Sequence, residues 1–209
     1  MFNINNFWNE QHKKNNIRWL TGSPTEEIFR YHKIESIVNE NTNLNVLDIG
    51  VGLGNMAKEL CKKHNVISVD ISQDALEKVK NISKIYLTKD MVKIDSESID
   101  LAICHLVFQH CDFNMVSFII DQTIRCLKDT GIFTFQFADI PSTKRLRSSV
   151  DYGLSLNSSI KRGTHHFMSI EKIKNIISKY NGDIIDISEP LCWAHADNII
   201  WYFVKCKPL

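Results

Sequence analysis

Val46-Leu47-Asp48-Ile49-Gly50-Val51-Gly52-Leu53-Gly54, running on into Asn55-Met56-Ala57-Lys58-Glu59-Leu60, decides the fold. An apolar run leads into an acid, then three glycines at alternate positions, then an amphipathic helix. The pattern reads as a buried strand ending at a tight turn whose backbone passes close to a ligand. Glycine permits both, because it tolerates positive φ and places no side chain in the way. Downstream, a second apolar run, Val66-Ile67-Ser68-Val69, ends in Asp70 with Ile71 beside it. A carboxylate there suits two ribose hydroxyls. The expectation is an adenosine-containing cofactor held at the ends of parallel strands.

Which cofactor follows from what the turn lacks. The dinucleotide fingerprint GxGxxG needs a third glycine five residues after the first, and that position is Asn55. The phosphate-binding pattern GxxxxGK[ST] is absent as well. Asp48, two residues ahead of the first glycine, would set negative charge towards a pyrophosphate. It suits a ligand that presents an ammonium group, as S-adenosylmethionine does, whose carboxylate can use backbone N–H groups near the helix start.

On these residues the chain resembles the class I S-adenosylmethionine-dependent methyltransferases across residues 44–206. Asp48, Gly50, Gly52 and Gly54 are similar to the family's first motif, and Asp70 to its ribose-binding acid. Leu87–Met91 resembles the segment whose acid, here Asp90, meets the adenine amine with Met91 packed nearby. Ser98–Cys111, with His105 and Leu106, resembles the fourth strand and the loop beside the transferred methyl group. Leu127–Phe137 resembles the turn and fifth strand. The resemblance implies a Rossmann-like α/β fold: a seven-stranded, mostly parallel sheet with a reversed C-terminal strand and helices on both faces.

The element pattern leads to the same architecture. Strands are expected at 44–49, 66–70, 84–88, 99–104 and 131–138, with helices at 54–63, 72–81 and 114–127 between them. Ile184–Ser188 and Ile199–Cys206 follow without room for a crossover helix, so they are expected as antiparallel neighbours. One domain is read over 1–209, divided as a helical cap (1–43), a cofactor-binding core (44–140), a substrate-side insert (141–168) and a C-terminal helix and strand pair (169–209). In the cap, Ser23-Pro24-Thr25-Glu26 is a capping box opening a helix buried through Ile28, Phe29, Tyr31, His32, Ile34, Ile37 and Val38. The aromatic-rich segment before it (Phe7, Trp8, Trp19) either covers the cofactor, as the resemblance implies, or packs the sheet edge. Arg18 or His32 is a candidate partner for the cofactor carboxylate.

Composition narrows the partners. At 209 residues the chain can bury a full core, and its net charge of +1 gives no global field towards nucleic acid or a membrane. The N-terminus MFNINNFWNEQHKK has no apolar signal region, and no run reaches the length of a membrane span. Six cysteines without close pairing read as small core hydrophobes of a reducing compartment, so a cytoplasmic location is expected. No acidic or histidine cluster has metal-site spacing, so no metal is expected.

Methyl transfer from a sulfonium asks for an in-line nucleophile and exclusion of water, in a site that favours loss of charge. A hydroxyl acceptor also needs a base. His110 either serves as that base or caps the next helix; Asp139 either orients the acceptor or caps a turn before Pro141. His165 and His166 precede Ser169, which is expected to cap a helix. Their side chains point apart, so at most one faces the site. Between the fifth strand and that helix, residues 142–166 hold Lys144, Arg145, Arg147, Lys161 and Arg162 against one acid, Asp151. This imbalance reads either as a solvated basic loop or as a site for phosphate or carboxylate, with Arg145, Arg147 and His165 as substrate ligands.

The expected activity is methyl transfer to O or N of a small anionic molecule: a nucleotide-linked or phosphorylated sugar, or an amino acid or amine derivative. A homodimer remains open. The alternatives are a macromolecule methyltransferase acting on RNA or protein, and a non-catalytic homologue that keeps the cofactor pocket. Cys104-His105-Leu106-Val107 stands where an NPPY-like tetrad would mark a base- or amide-nitrogen enzyme, which disfavours the first.

Overall fold

Strand β1 (Asn45–Ile49) lies inside the sheet, its apolar residues buried on both faces. It pairs in parallel with β2 (Asn65–Asp70) on one side and β4 (Ile99–Cys104) on the other. Outward from these lie β3 (Lys84–Leu87) and β5 (Leu127–Asp139), both parallel to their neighbours. The order is β3-β2-β1-β4-β5-β8-β6, where β6 is Gly182–Ile187 and β8 is Ile200–Pro208. Strand β8 runs antiparallel to both β5 and β6, so it is the reversed strand the sequence implied. These seven strands are the expected sheet, and a two-residue β7 (Leu191–Cys192) pairs with β8 off that path as a short eighth strand. This computed structural model describes residues 4–14, 24–139, 166–189, 191–192 and 200–209.

Seven α-helices are described: α1 (Ile4–Lys13), α2 (Thr25–Tyr31), α3 (Glu35–Glu40), α4 (Asn55–Leu60), α5 (Gln73–Glu77), α6 (Phe113–Cys126) and α7 (Ile170–Lys179). Ser72, Asp112 and Ser169 cap α5, α6 and α7, each side chain accepting from a backbone N–H in the first turn. The Ser169 cap is the expected one. One face of the sheet packs Leu47, Ile49, Phe133, Phe135 and Phe137 against α6 and α7. The other packs Val46, Leu101 and Ile103 against the shorter helices α2 to α5.

Two expectations need correction. The single helix expected from the capping box is two helices. Lys33 takes φ 52°, and Ile34 N–H returns to the Phe29 carbonyl, a left-handed helix stop that turns Ile34 fully inward. Thr25 opens α2 without a side-chain cap, and Ser23 lies outside the described residues. The fifth strand starts at Leu127 rather than residue 131. Leu127 already pairs with Ile99, and a register shift follows before Ile132 meets Leu101.

Candidate active site

The carboxyl ends of β1, β2 and β4 converge on the glycine turn. Gly50 and Gly54 have φ of 82° and 79°, where a residue with a Cβ is strained. Sterics add to this, because a Cβ at Gly50 would overlap the Val107 side chain and one at Gly54 the Val79 side chain. Gly52 N–H donates to the Asp70 carboxylate at 3.2 Å, and Ser72 N–H donates to its other oxygen at 2.8 Å. The turn and the end of β2 are therefore one hydrogen-bonded unit.

Asp48 is fully buried beneath this turn, and neither carboxylate oxygen has a hydrogen-bond partner. Burial, reinforced by the charge of Asp70, raises its carboxyl from 3.8 to about 7. Asp70 is raised to about 6 by burial, offset by the backbone N–H groups of Ser72, Gly52 and Ile71. Two carboxylates held this way call for a ligand that brings a positive charge to one and hydroxyl donors to the other. The bare turn and the uncompensated acid fit the ammonium and ribose ends of S-adenosylmethionine. Ile71, half-buried, follows β2 immediately.

Asp90 and Met91 lie on a 3-10 segment, Thr88–Lys93, after β3. Asp90 is partly exposed and pairs with Lys93 at 2.8 Å, which holds its carboxyl below the usual range. Met91 is wholly buried in the core, so it buttresses the segment from beneath. Arg125 from α6 fixes the segment, donating to the Met91 and Ile94 carbonyls at 3.0 and 2.8 Å.

After β4, Leu106 takes φ 58°, an uncommon conformation for a non-glycine residue. It aims the chain so that Val107 packs on Gly50. The His105 side chain is buried and turned to His32: His105 Nδ1 lies 3.1 Å from His32 Nε2, and His32 Nδ1 lies 2.7 Å from Thr134 Oγ1. With both ring nitrogens so engaged, His32 is not the partner of the cofactor carboxylate; Arg18, the other candidate, lies outside the described residues. Burial lowers His105 to about 4 and, with His105 and Lys205 nearby, lowers His32 as well.

The base candidates gather at one rim. His110 ends a short 3-10 turn, Phe108–His110, and Asp112 caps α6, so capping is not the role of His110. His166 N–H donates to the Gln109 carbonyl at 2.6 Å, and Met168 N–H to the Ala138 carbonyl at 3.0 Å. One segment thus bridges the neighbours of His110 and of Asp139, the half-buried last residue of β5. Arg145, Arg147 and His165 lie outside the described residues.

Helix α1 closes over this edge. Trp8 meets the His110 ring edge-on at 4.8 Å, Asn9 accepts from Ser72 Oγ at 2.7 Å, and Lys78 donates to His12 at 3.3 Å. These contacts set α1 against the segments that follow β2 and β4, with Trp8 on His110. Among the described residues no His, Cys, Asp or Glu cluster is arranged for a metal, and no helix is long and apolar enough to cross a membrane.

Sequence reasoning missed Thr134, Gln136 and Arg125. The first two were visible as polar residues alternating with phenylalanine in Phe133-Thr134-Phe135-Gln136-Phe137, which puts both on one face of a buried strand. Arg125 carried no local signal.

Residues 47–135 match the methyltransferase-domain family. The chain is similar to a sterol 24-C-methyltransferase of Clavispora lusitaniae, 20% identical over 195 residues, covering 86% of this chain and 51% of that protein. Among solved structures it resembles phosphoethanolamine N-methyltransferase 2 of Haemonchus contortus with phosphomonomethylethanolamine and S-adenosylhomocysteine, at TM-score 0.71 and 17% identity, covering all of this chain and 61% of that one. It also resembles the magnesium protoporphyrin IX methyltransferase of Synechocystis with bound S-adenosylhomocysteine, at TM-score 0.64 and 14% identity, covering 99% and 98%. The chain thus spans about half the length of the curated relative.

Proposed function

We infer, from a methyltransferase domain on a Rossmann-like sheet with an uncompensated acid under its glycine turn, that the chain is an S-adenosylmethionine-dependent methyltransferase. The observation that carries this is Asp48, buried with both oxygens unpartnered where an ammonium group would bind. S-Adenosylmethionine, when bound, supplies an activated sulfonium methyl group. Asp48 holds the ammonium end, Asp70 the ribose, and Asp90 the adenine amine. The backbone about Gly50, Gly52 and Gly54 and about His105 and Leu106 forms the wall, and α1 excludes water through Trp8.

The acceptor is a small molecule with an anionic group, a phosphorylated or nucleotide-linked sugar or an amino acid or amine derivative. The basic residues Arg145 and Arg147, with His165, receive the anion, and methylation falls on O or N. His110 takes the acceptor proton at the rim, with Asp139 and His166 orienting the acceptor beside it. The phosphoethanolamine enzyme and the porphyrin enzyme, both acting on small molecules by name, support this over an RNA or protein substrate. The protein works in the cytoplasm and needs no metal.

Calorimetric titration with S-adenosylmethionine, S-adenosylhomocysteine and NAD tests the reading. Micromolar binding of the two sulfur compounds without NAD is expected. Binding of neither would overturn the cofactor reading and leave the fold assignment alone.

A further inference from the structure

Beneath the rim lies a polar group that no step above employs. Gln136 is fully buried on β5, and neither end of its amide has a hydrogen-bond partner. Buried amides in folded proteins are almost always satisfied, and one left unpaired at both ends points to a missing ligand or water. Its position is specific. Cys104 pairs with Phe135, so the next residues along these parallel strands, His105 and Gln136, come side by side on the same face. Thr134, two residues before Gln136, shares that face and holds His32 at 2.7 Å, which in turn holds His105 at 3.1 Å.

The surroundings are aromatic and apolar. Phe203 stands opposite Gln136 in the β5–β8 ladder, with Tyr31 stacked on it at 5.6 Å and the His32 ring edge-on at 4.9 Å. One step nearer the rim, Ala138 and Trp201 pack with Leu106 and Phe167. Lys205, opposite Thr134, sends its ammonium to the Lys33 carbonyl at the surface. A charged group lowered onto Gln136 would therefore lose its water without gaining a counter-charge.

We propose that Gln136 and His105 form the floor of the acceptor pocket and bind an uncharged hydrogen-bonding group, a hydroxyl or carboxamide, carried on an apolar or aromatic frame. His32 and Thr134 are positioning residues that fix the His105 ring. This deepens the methyltransferase reading and rests on it: the anionic group of the acceptor lies at its other end, away from this floor.

The test uses the full chain, wild type and Gln136→Leu, with Gln136→Met as a second variant of similar volume. Calorimetry with S-adenosylhomocysteine should give equal affinity in all three, since Gln136 lies outside the cofactor wall. With S-adenosylhomocysteine present and absent, phenol, benzamide and phosphoethanolamine are titrated by NMR. The two neutral probes should bind the wild type and lose roughly tenfold or more in both variants, the effect of one buried hydrogen bond to a ligand, while phosphoethanolamine is unaffected. Neutral probes that bind none of the proteins, or all equally, overturn the floor. Failure of S-adenosylhomocysteine to bind the wild type would instead strike the cofactor reading, which the neutral probes do not depend on.

Discussion

Asp48→Asn keeps the shape of the side chain and deletes its charge, so it isolates what the buried carboxylate costs and what it is for. In the folded protein the carboxyl is raised from 3.8 to about 7, first by burial and then by Asp70. Between roughly pH 4 and pH 7 the unfolded chain therefore holds fewer protons at this position than the folded one, and folding stability falls as pH rises. Above the folded value the penalty levels off at about 4 kcal/mol, at about 1.4 kcal/mol per pH unit. Protonated aspartic acid and asparagine are near isosteres, and both leave a neutral polar group unpaired, so at acid pH the variant should match the wild type. Urea unfolding of the ligand-free protein should show the variant gaining about 3 kcal/mol over wild type between pH 5 and pH 8. The same substitution should weaken S-adenosylmethionine by roughly tenfold to a hundredfold through loss of a charge-assisted contact. A variant that is less stable at every pH, or whose gain does not vary with pH, would refute the reasoning. It would mean the Asp48 carboxylate is already compensated and not held in readiness for an ammonium group.

Three further outcomes follow from the site. Asp70→Ala should weaken S-adenosylmethionine at least about tenfold by titration while the protein stays folded, since two ribose hydroxyls lose a charged acceptor; unchanged affinity would remove Asp70 from the ribose site. Gly54→Ala forces a side chain to φ 79° and against Val79, which is fully buried. It should cost about 2–4 kcal/mol in urea unfolding, and a cost under about 1 kcal/mol would mean the turn relaxes. Arg145→Ala combined with Arg147→Ala should raise KM for the acceptor more than for the cofactor, and equal effects on both would count against an anion site.

The fold was legible because its signals are local and repeated. Each parallel strand is an apolar run ending at a turn, and the short spacing of Ile184–Ser188 and Ile199–Cys206 left only an antiparallel arrangement, which β6 and β8 adopt. The misread helix had the right periodicity, but periodicity cannot register a left-handed stop at an ordinary lysine such as Lys33. Propensity disfavours that conformation, and the inward turn of Ile34 outweighs it. The early start of β5 was hidden because Lys128-Asp129-Thr130-Gly131 reads as a turn, whereas the sheet takes it as an irregularity between Ile99 and Leu101.

The site was legible where its residues lie close to one another along the chain, and not where they lie far apart. Asp48, the glycines and Asp70 sit at strand ends whose role can be read in place, and the structure joins them through Gly52 N–H and the Asp70 carboxylate. His105 and His32 are 73 residues apart and His32 and Thr134 are 102 apart, so no local pattern could announce that they form one buried chain. His32 had looked like a helix-face residue free to reach a carboxylate. Its packing under Phe203 and between Thr134 and His105 gives it the opposite task, holding one neutral ring against another. The same reasoning separates the two histidines of the loop after β4. His105 is lowered to about 4 and bonded to His32, so it is poorly suited to accept a proton at neutral pH. His110, at the rim against Trp8 and one residue from the carbonyl that holds His166, stands outside the buried histidine chain, which is why the proposed base role falls to it rather than to His105.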